Sequence, residues 1–362
     1  MKKPPYSNIV VKVGTHALLT PRHALDTGAL QRLVRQTAAL VKDGTRITIV
    51  SSGAVACGRS RLDREKSAKE TVGDRQLFAA VGQVDLMLQY RAAAQEHGLT
   101  IAQVLATKED FRTRDHYTNM QCCFETMHAQ GVIPIVNEND VVAVEELMFT
   151  DNDQLAGLVA SMIGAEAVVI LTNIDGIYDR PLEEQGAKLL PTINPGKDMA
   201  KIRIGRTSSH GRGGMQSKLA TARLLSTQGI RTFVANASVP DVLRKIQGGE
   251  HVGTIVLPMR RFVSGTRRWL ASSAEHKRGS VTVDTGAGKA LNAEQPANLL
   301  PVGIRSFDGT FSKGDIVSVQ NGKGETIGVG MAAYGSTVLA KCMGKRGHPP
   351  FIRADYFFPY MS

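Results

Sequence analysis

Two polar clusters stand ten residues apart in this chain, Asn137-Glu138-Asn139-Asp140 and Asp151-Asn152-Asp153. Carboxylates and amides packed this densely are poor core material. They suit a charged small molecule and a divalent cation. Asn and Asp also favour turns and helix caps, so one cluster alone means little, and Asp151 and Asp153 could equally cap a helix starting near Gln154. Two isolated lysines extend the set. Lys12 precedes the glycine turn Gly14-Thr15 at the end of a short apolar run. From there it could reach phosphate oxygens, or face solvent as most lysines do. Lys218 follows Gly211-Arg212-Gly213-Gly214-Met215 in the first turn of a helix. Glycines before a helix can wrap phosphates or form a flexible cap. The Walker pattern GxxxxGK[ST] is absent here.

Ser51-Ser52-Gly53-Ala54 joins a strand to a helix. Glycine permits close backbone approach, and a helix N-terminus offers N–H donors to an anion, although Ser and Gly also serve as plain caps. Two lysines and a helix N-terminus together can stabilise a phosphoryl group in transfer. Asp151 and Asp153 could orient those lysines or bind Mg²⁺, which takes carboxylate, water and phosphate ligands. No His, Cys or Ser triad is evident. A substrate carboxylate, already ionised at neutral pH, would be a nucleophile needing no general base.

The elements that position these residues alternate. Apolar runs predict strands over 9–13, 46–50, 100–105, 132–136 and 167–171. Helical spacing covers 30–40, 77–95, 119–130, 154–163 and 218–228, with a helix also following Ala54. Strands apolar throughout, alternating with helices, imply a mostly parallel sheet covered on both faces. Ligands in such sheets sit at the carboxyl ends of strands. Gly14-Thr15, Ser51-Ser52-Gly53, Asn137 to Asp140 and Thr172-Asn173 all fall at strand ends, which is the strongest argument for a site. After about Pro258 the texture changes to short strands and tight glycine turns, a small all-β module. The expected division is residues 1–258, a linker over 259–277 that includes the single Trp269, and a β-rich module over 278–362.

With 362 residues and 42% apolar content the chain can build two cored domains. No apolar run approaches the roughly 20 residues a spanning helix needs, and the first run is too short for a signal peptide. The expectation is a soluble, cytoplasmic protein. Cys57, Cys122, Cys123 and Cys342 form no CxxC or zinc spacing and read as buried free thiols. The formal charge is +11, and residues 260–362 hold 14 Lys/Arg against 7 Asp/Glu. A basic tail could meet nucleic acid or be ordinary solvated surface. The charged block from Arg59 to Lys69 reads as a solvated loop, and His16, His116 and His210 as lone neighbours of the site.

These pieces carry a family likeness. Val11-Lys12-Val13-Gly14-Thr15, Ser51-Ser52-Gly53-Ala54, Ala80-Val81-Gly82-Gln83, both polar clusters with Gln154, Leu171-Thr172, and Gly213-Gly214-Met215 with Lys218 follow the order and spacing of glutamate 5-kinases, in the amino acid kinase superfamily. The tail resembles the PUA domain that many bacterial members append. The resemblance implies an αβα sandwich with a mostly parallel sheet, plus the PUA-like module. It implies ATP- and Mg²⁺-dependent phosphorylation of the L-glutamate side-chain carboxylate, the first step of proline biosynthesis, with proline as feedback inhibitor and a homodimer or homotetramer.

By the family pattern, Lys12 and Lys218 stabilise the phosphoryl group, and Asp151 and Asp153 organise the lysines and the metal, which is held mainly through ATP phosphates. Ser52, Gly53, Asn137, Asp140 and Asn152 hold glutamate. Gly14, Thr172, Asn173, Gly211, Arg212, Gly213, Gly214 and Met215 contact ATP. Four positions depart from the pattern: His16 for Ser, Thr150 for Gly, Asn173 for Asp and Arg212 for Thr. They touch nucleotide binding more than the glutamate clusters. The competing readings are a sister kinase acting on another carboxylate, carbamate or phosphate, and an RNA-binding regulatory protein using the basic tail.

Overall fold

The computed structural model describes residues 5–20, 24–64, 70–143, 149, 151–205, 214–259, 265–272, 277–293 and 296–360. Thr150, His210, Gly211, Arg212 and Gly213 lie outside the described residues, as do Glu65, Lys66 and Lys69 of the charged block. The chain divides into two compact units, Met1–Arg261 and Phe262–Ser362.

The strands of the first unit are β1 (Asn8–Val13), β2 (Arg46–Val50), β3 (Thr100–Ala106), β4 (Val132–Glu138), β5 (Ala167–Thr172), β6 (Thr192–Ile193), β7 (Arg231–Asn236) and β8 (Thr254–Val256). Its helices are α1 (Thr15–Leu18), α2 (Thr27–Lys42), α3 (Ala54–Arg61), α4 (Val72–Gln95), α5 (Glu109–Arg112), α6 (Arg114–Ala129), α7 (Asn152–Ile163), α8 (Met215–Thr227) and α9 (Val242–Gln247). The strands form one eight-stranded sheet in the order β3-β4-β2-β1-β5-β7-β8-β6. Pairing is parallel except between β7 and β8. β1 and β5 are buried along their whole length, as strands covered on both faces must be. The strand order reverses at β1, which is flanked by β2 and β5, and an open α/β sheet forms its ligand crevice at such a point.

Strand periodicity sorts the two faces. Ile9, Val11 and Val13 of β1 join Val169 and Leu171 of β5 in a core with Leu30 and Leu33 of α2, Leu86 and Tyr90 of α4, and Leu243 and Ile246 of α9. The alternate residues, Val10 and Lys12, belong to the other face, where α7 crosses β1 and β5 and packs on α6 and α8. Residues 155–162 of α7 are buried throughout, so it reads as apolar on every side.

Several boundaries differ from the sequence reading. α4 begins at Val72, because Thr71 and Asp74 form a reciprocal capping box. α6 begins at Arg114, capped by the Thr113 hydroxyl. β4 runs on through Asn137 and Glu138, so half of the first polar cluster is strand. β7 and the antiparallel β8 were not expected. Arg59 and Arg61 belong to α3, and Arg59 is clamped to Glu70 by two hydrogen bonds of 2.9 Å, so this part of the charged block is not a solvated loop. All four cysteines are free, but Cys122 and Cys123 are exposed on α6 rather than buried.

In the second unit, α10 (Gly265–Ser272) lies inside the stretch expected as linker. It packs on the strands of that unit and buries Trp269, Leu270 and Ala271. β9 (Gly279–Val283), β10 (Ile304–Gly309), β11 (Ile316–Gln320), β12 (Thr326–Met331) and β13 (Phe357–Pro359) form a five-stranded sheet in the order β10-β9-β11-β12-β13. The module is not all-β. Helices α11 (Thr285–Leu291), capped by Asp284, and α12 (Ser336–Cys342) add Leu291 and Leu339 to its separate core. No described helix is long and apolar enough to cross a membrane.

Candidate active site

The carboxyl ends of β1, β2, β4 and β5 open into one cavity of about 740 Å³. The strand parity that puts Lys12 on the α7 face aims its ammonium at the start of that helix. Lys12 Nζ meets Asp153 Oδ1 at 2.6 Å, and Lys218 Nζ, from the first turn of α8, meets Asp153 Oδ2 at 2.9 Å. Asp153 is wholly buried and both lysines nearly so. Burial by itself would raise the Asp153 carboxyl, but the charges and hydrogen bonds of Lys12 and Lys218 outweigh it and hold the group below its ordinary value.

Asp151 is the N-cap of α7. Its Oδ1 accepts from Asp153 N–H at 2.9 Å and Gln154 N–H at 3.0 Å. The capping reading of this residue therefore holds, and it coexists with a place in the cavity wall. Burial lifts the Asp151 carboxyl above its ordinary value and the Asp153 charge adds to the lift, against hydrogen bonds from Ser217 and Gln154. Both carboxylates sit in the first turn, where the helix dipole favours negative charge.

Asn152 ties the two polar clusters together. Its Nδ2 donates to Ser51 O at 2.6 Å, Ser52 Oγ at 2.8 Å and Asn137 Oδ1 at 3.1 Å. Asn137 in turn donates to Gln83 Oε1 at 2.9 Å. Gly53 stands at φ +107, in the left-handed region that favours glycine, and turns β2 into α3 so that the helix N-terminus faces the cavity. α3 is held there by backbone contact with α4: a Cβ on Gly82 would fall 1.9 Å from Ala54 O. The Ala80-Val81-Gly82-Gln83 stretch thus supplies a close crossing and an amide ligand for Asn137.

Gly14, Thr172, Asn173, Gly214, Met215 and Lys218 line the same cavity. Gly14 N–H donates to Leu171 O at 3.0 Å, and Thr172 Oγ1 donates to Asn173 Oδ1 at 3.3 Å. His16 also lines it, whereas His116 is exposed on α6. Sequence reasoning missed Arg75 of α4. Its Nε and one Nη donate to Asp140 Oδ1 at 2.9 and 2.6 Å, with Glu138 Oε2 at 3.7 Å. Glu138 Oε1 also accepts from Phe149 N–H at 2.8 Å. Tyr178, Arg180 and Arg203 were missed too and line the same cavity. Arg75 lies 65 residues from Asp140, so no local spacing could have signalled the pair.

The residues fit a metal ion in one way only. Among the described residues no cluster of three or more His, Cys, Asp or Glu could cage a cation. Asp151, a buried carboxylate next to the Lys12–Asp153–Lys218 bridge, suits Mg²⁺ that would arrive on nucleotide phosphates and keep its waters.

The model of the Amino acid kinase family matches residues 8–236, and that of the PUA domain residues 279–348. Glutamate 5-kinase of Bacteroides thetaiotaomicron is 41% identical, over 98% of this chain and 99% of its own. That of Chlorobaculum tepidum is 42% identical over 98% of each chain. That of Caldanaerobacter subterraneus is 38% identical over 94% of this chain and 91% of its own. The chain belongs to the amino acid kinase family and, within it, to the glutamate 5-kinases. The match to the kinase family spans every residue of the cavity described above and ends at the last residue of β7. The PUA match falls wholly within the second unit.

Proposed function

We propose that this protein transfers the γ-phosphoryl group of ATP to the side-chain carboxylate of L-glutamate, giving glutamyl 5-phosphate for proline biosynthesis. The observation that carries the residue roles is the buried Lys12–Asp153–Lys218 bridge, placed beside the Ser52, Asn137 and Asn152 network. Two ammonium groups fixed by one carboxylate present positive charge without needing to reorganise, which is what a phosphoryl group in transfer requires. Asp153 is the organiser, since both of its oxygens are committed to lysines. Asp151 is the carboxylate left to face the metal–nucleotide, where Mg²⁺ would neutralise phosphate charge.

Glutamate carries an ammonium and two carboxylates. Asp140 suits the ammonium, while the Gly53 N–H and the amides of Asn137 and Asn152 suit carboxylate oxygens. The substrate carboxylate then attacks in line, and no protein base is called for. The nucleotide lies toward Gly14, Thr172, Asn173, Gly214 and Met215, and by the family pattern Gly211, Arg212 and Gly213, outside the described residues, contact it too. Proline as feedback inhibitor, a homo-oligomer and a cytoplasmic setting accompany this reading through the family.

The direct test is glutamate-dependent ATP consumption with hydroxylamine trapping the acyl phosphate as a hydroxamate. Folded protein that binds ATP and yields no hydroxamate would sink the proposal.

A further inference from the structure

Arg75 has no assigned role, and its position is costly by itself. It lies just past the first turn of α4, where the helix dipole disfavours a cation, and its side chain is only 20% exposed. What holds it is acidic: Asp140 Oδ1 takes two of its N–H donors and Glu138 Oε2 lies at 3.7 Å. The pairing is not the two-against-two fork that arginine and carboxylate form when they only serve each other. Both donors converge on one oxygen. Among the described residues neither Asp140 Oδ2 nor Arg75 Nη1 has a hydrogen-bond partner, and both residues line the cavity. An acceptor and a donor of opposite charge therefore stand side by side at this end of the site.

We infer that Arg75 binds the α-carboxylate of the substrate while Asp140 takes its α-ammonium, so that the pair reads the zwitterion of an α-amino acid. This rests on glutamate being the substrate. The chemistry matches in both sign and spacing: an α-amino acid carries its ammonium and carboxylate on one carbon, and Arg75 and Asp140 touch. Glu138 adds a second acidic neighbour to Arg75. An ammonium and a carboxylate on one carbon sum to zero, so the bound zwitterion adds no net charge to this end of the cavity, whereas a substrate lacking the α-carboxylate charge leaves Arg75 Nη1 desolvated and unanswered. Arg75 is thus a specificity residue for the α-carboxylate, distinct from the lysines that meet the phosphoryl group.

The test compares L-glutamate with its α-carboxamide, which keeps the ammonium and the side-chain carboxylate. Hydroxamate kinetics are measured for the wild type, Arg75→Gln and Arg75→Lys, with thermal unfolding as the check on folding. The wild type should prefer glutamate by roughly a hundredfold in kcat/KM, the scale for an unanswered buried charge. In Arg75→Gln the KM for glutamate should rise by about a hundredfold, kcat should stay within about threefold, and the preference should collapse to within about fivefold. If Arg75 only props Asp140, both substrates weaken together and the preference survives, which overturns the inference. Should Arg75→Gln not fold, Arg75→Lys decides: it keeps the charge and loses the planar donors, so a preference undiminished in that variant also overturns it. A wild type that makes no hydroxamate from glutamate is a separate failure, of the substrate reading itself.

Discussion

Asp153 is the residue on which the buried charges turn. Removing Lys218 leaves a one-to-one pair with Lys12, whereas removing the Asp153 charge leaves two buried cations facing each other. Asp153→Asn should therefore cost about 3–5 kcal/mol of stability, the scale for breaking a buried pair, together with turnover. Lys218→Ala should unfold less readily but lower kcat by about 10²–10³-fold, with glutamate KM little changed. Chemical denaturation and steady-state kinetics on the two variants separate these outcomes. Normal turnover with weakened glutamate affinity in Lys218→Ala would contradict the assigned role.

Asp151 behaves oppositely. Its folded pKa is raised, so its ionised form costs stability at every pH above that raised value, and acidification from neutrality relieves the cost before the unfolded value of 3.8 is reached. Asp153, depressed by its lysines, contributes stability that is fully present above 3.8 and is lost as pH falls through its lower folded value. Asn is as good an N-cap as Asp. Asp151→Asn should accordingly raise the Tm of the ligand-free protein at pH 7 while lowering activity, and the gain should shrink as pH approaches 4. A gain that does not vary with pH would show that charge is not the cause.

At the scale of elements, the phosphoryl site is made by the crossing of α7 and α8, which sets the distance from Asp153 to Lys218. A Cβ added at Gly157 would fall 2.9 Å from Thr221 Cγ2. Gly157→Ala should push the helices apart, costing about 1–3 kcal/mol and lowering kcat more than it changes KM. Thr221→Ser removes the clashing methyl, so the double variant should recover most of both losses. Additive losses in a double-mutant cycle would refute the contact as the cause. The same elements show why sequence boundaries were short at helix starts. Thr71, Thr113 and Asp151 each cap a helix earlier than its apolar period begins, because a cap is polar and periodicity registers only the buried face.

For the whole molecule, the chain divides into two units with separate cores, and every lining residue of the cavity belongs to Met1–Arg261. A chain ending at Arg261 should fold and keep kcat within about threefold, since it retains one complete core and the whole site. Hydroxamate assays and thermal unfolding on the truncated chain check this, and an unfolded product would show that the second unit is required. The helix that buries Trp269 was read as linker because an eight-residue element offers too few turns for periodicity to show. The same shortness hid α11, α12 and the three-residue strand β13.

The sequence alone determined the alternation of strands and helices, the parallel character of the sheet and the gathering of Lys12, Ser52, Asn137, Asp151, Asn152 and Thr172 at strand ends. These follow from local period and from residue types that cannot sit in a core. Only the tertiary structure decided which charges touch. Whether Lys12 meets solvent or Asp153 depends on which face α7 covers, a choice made by packing across the sheet rather than by anything near residue 12. Arg75 was beyond reach for the same reason: its partner Asp140 is brought to it by α4 packing over the sheet, and a contact across 65 residues leaves no periodic trace in the chain.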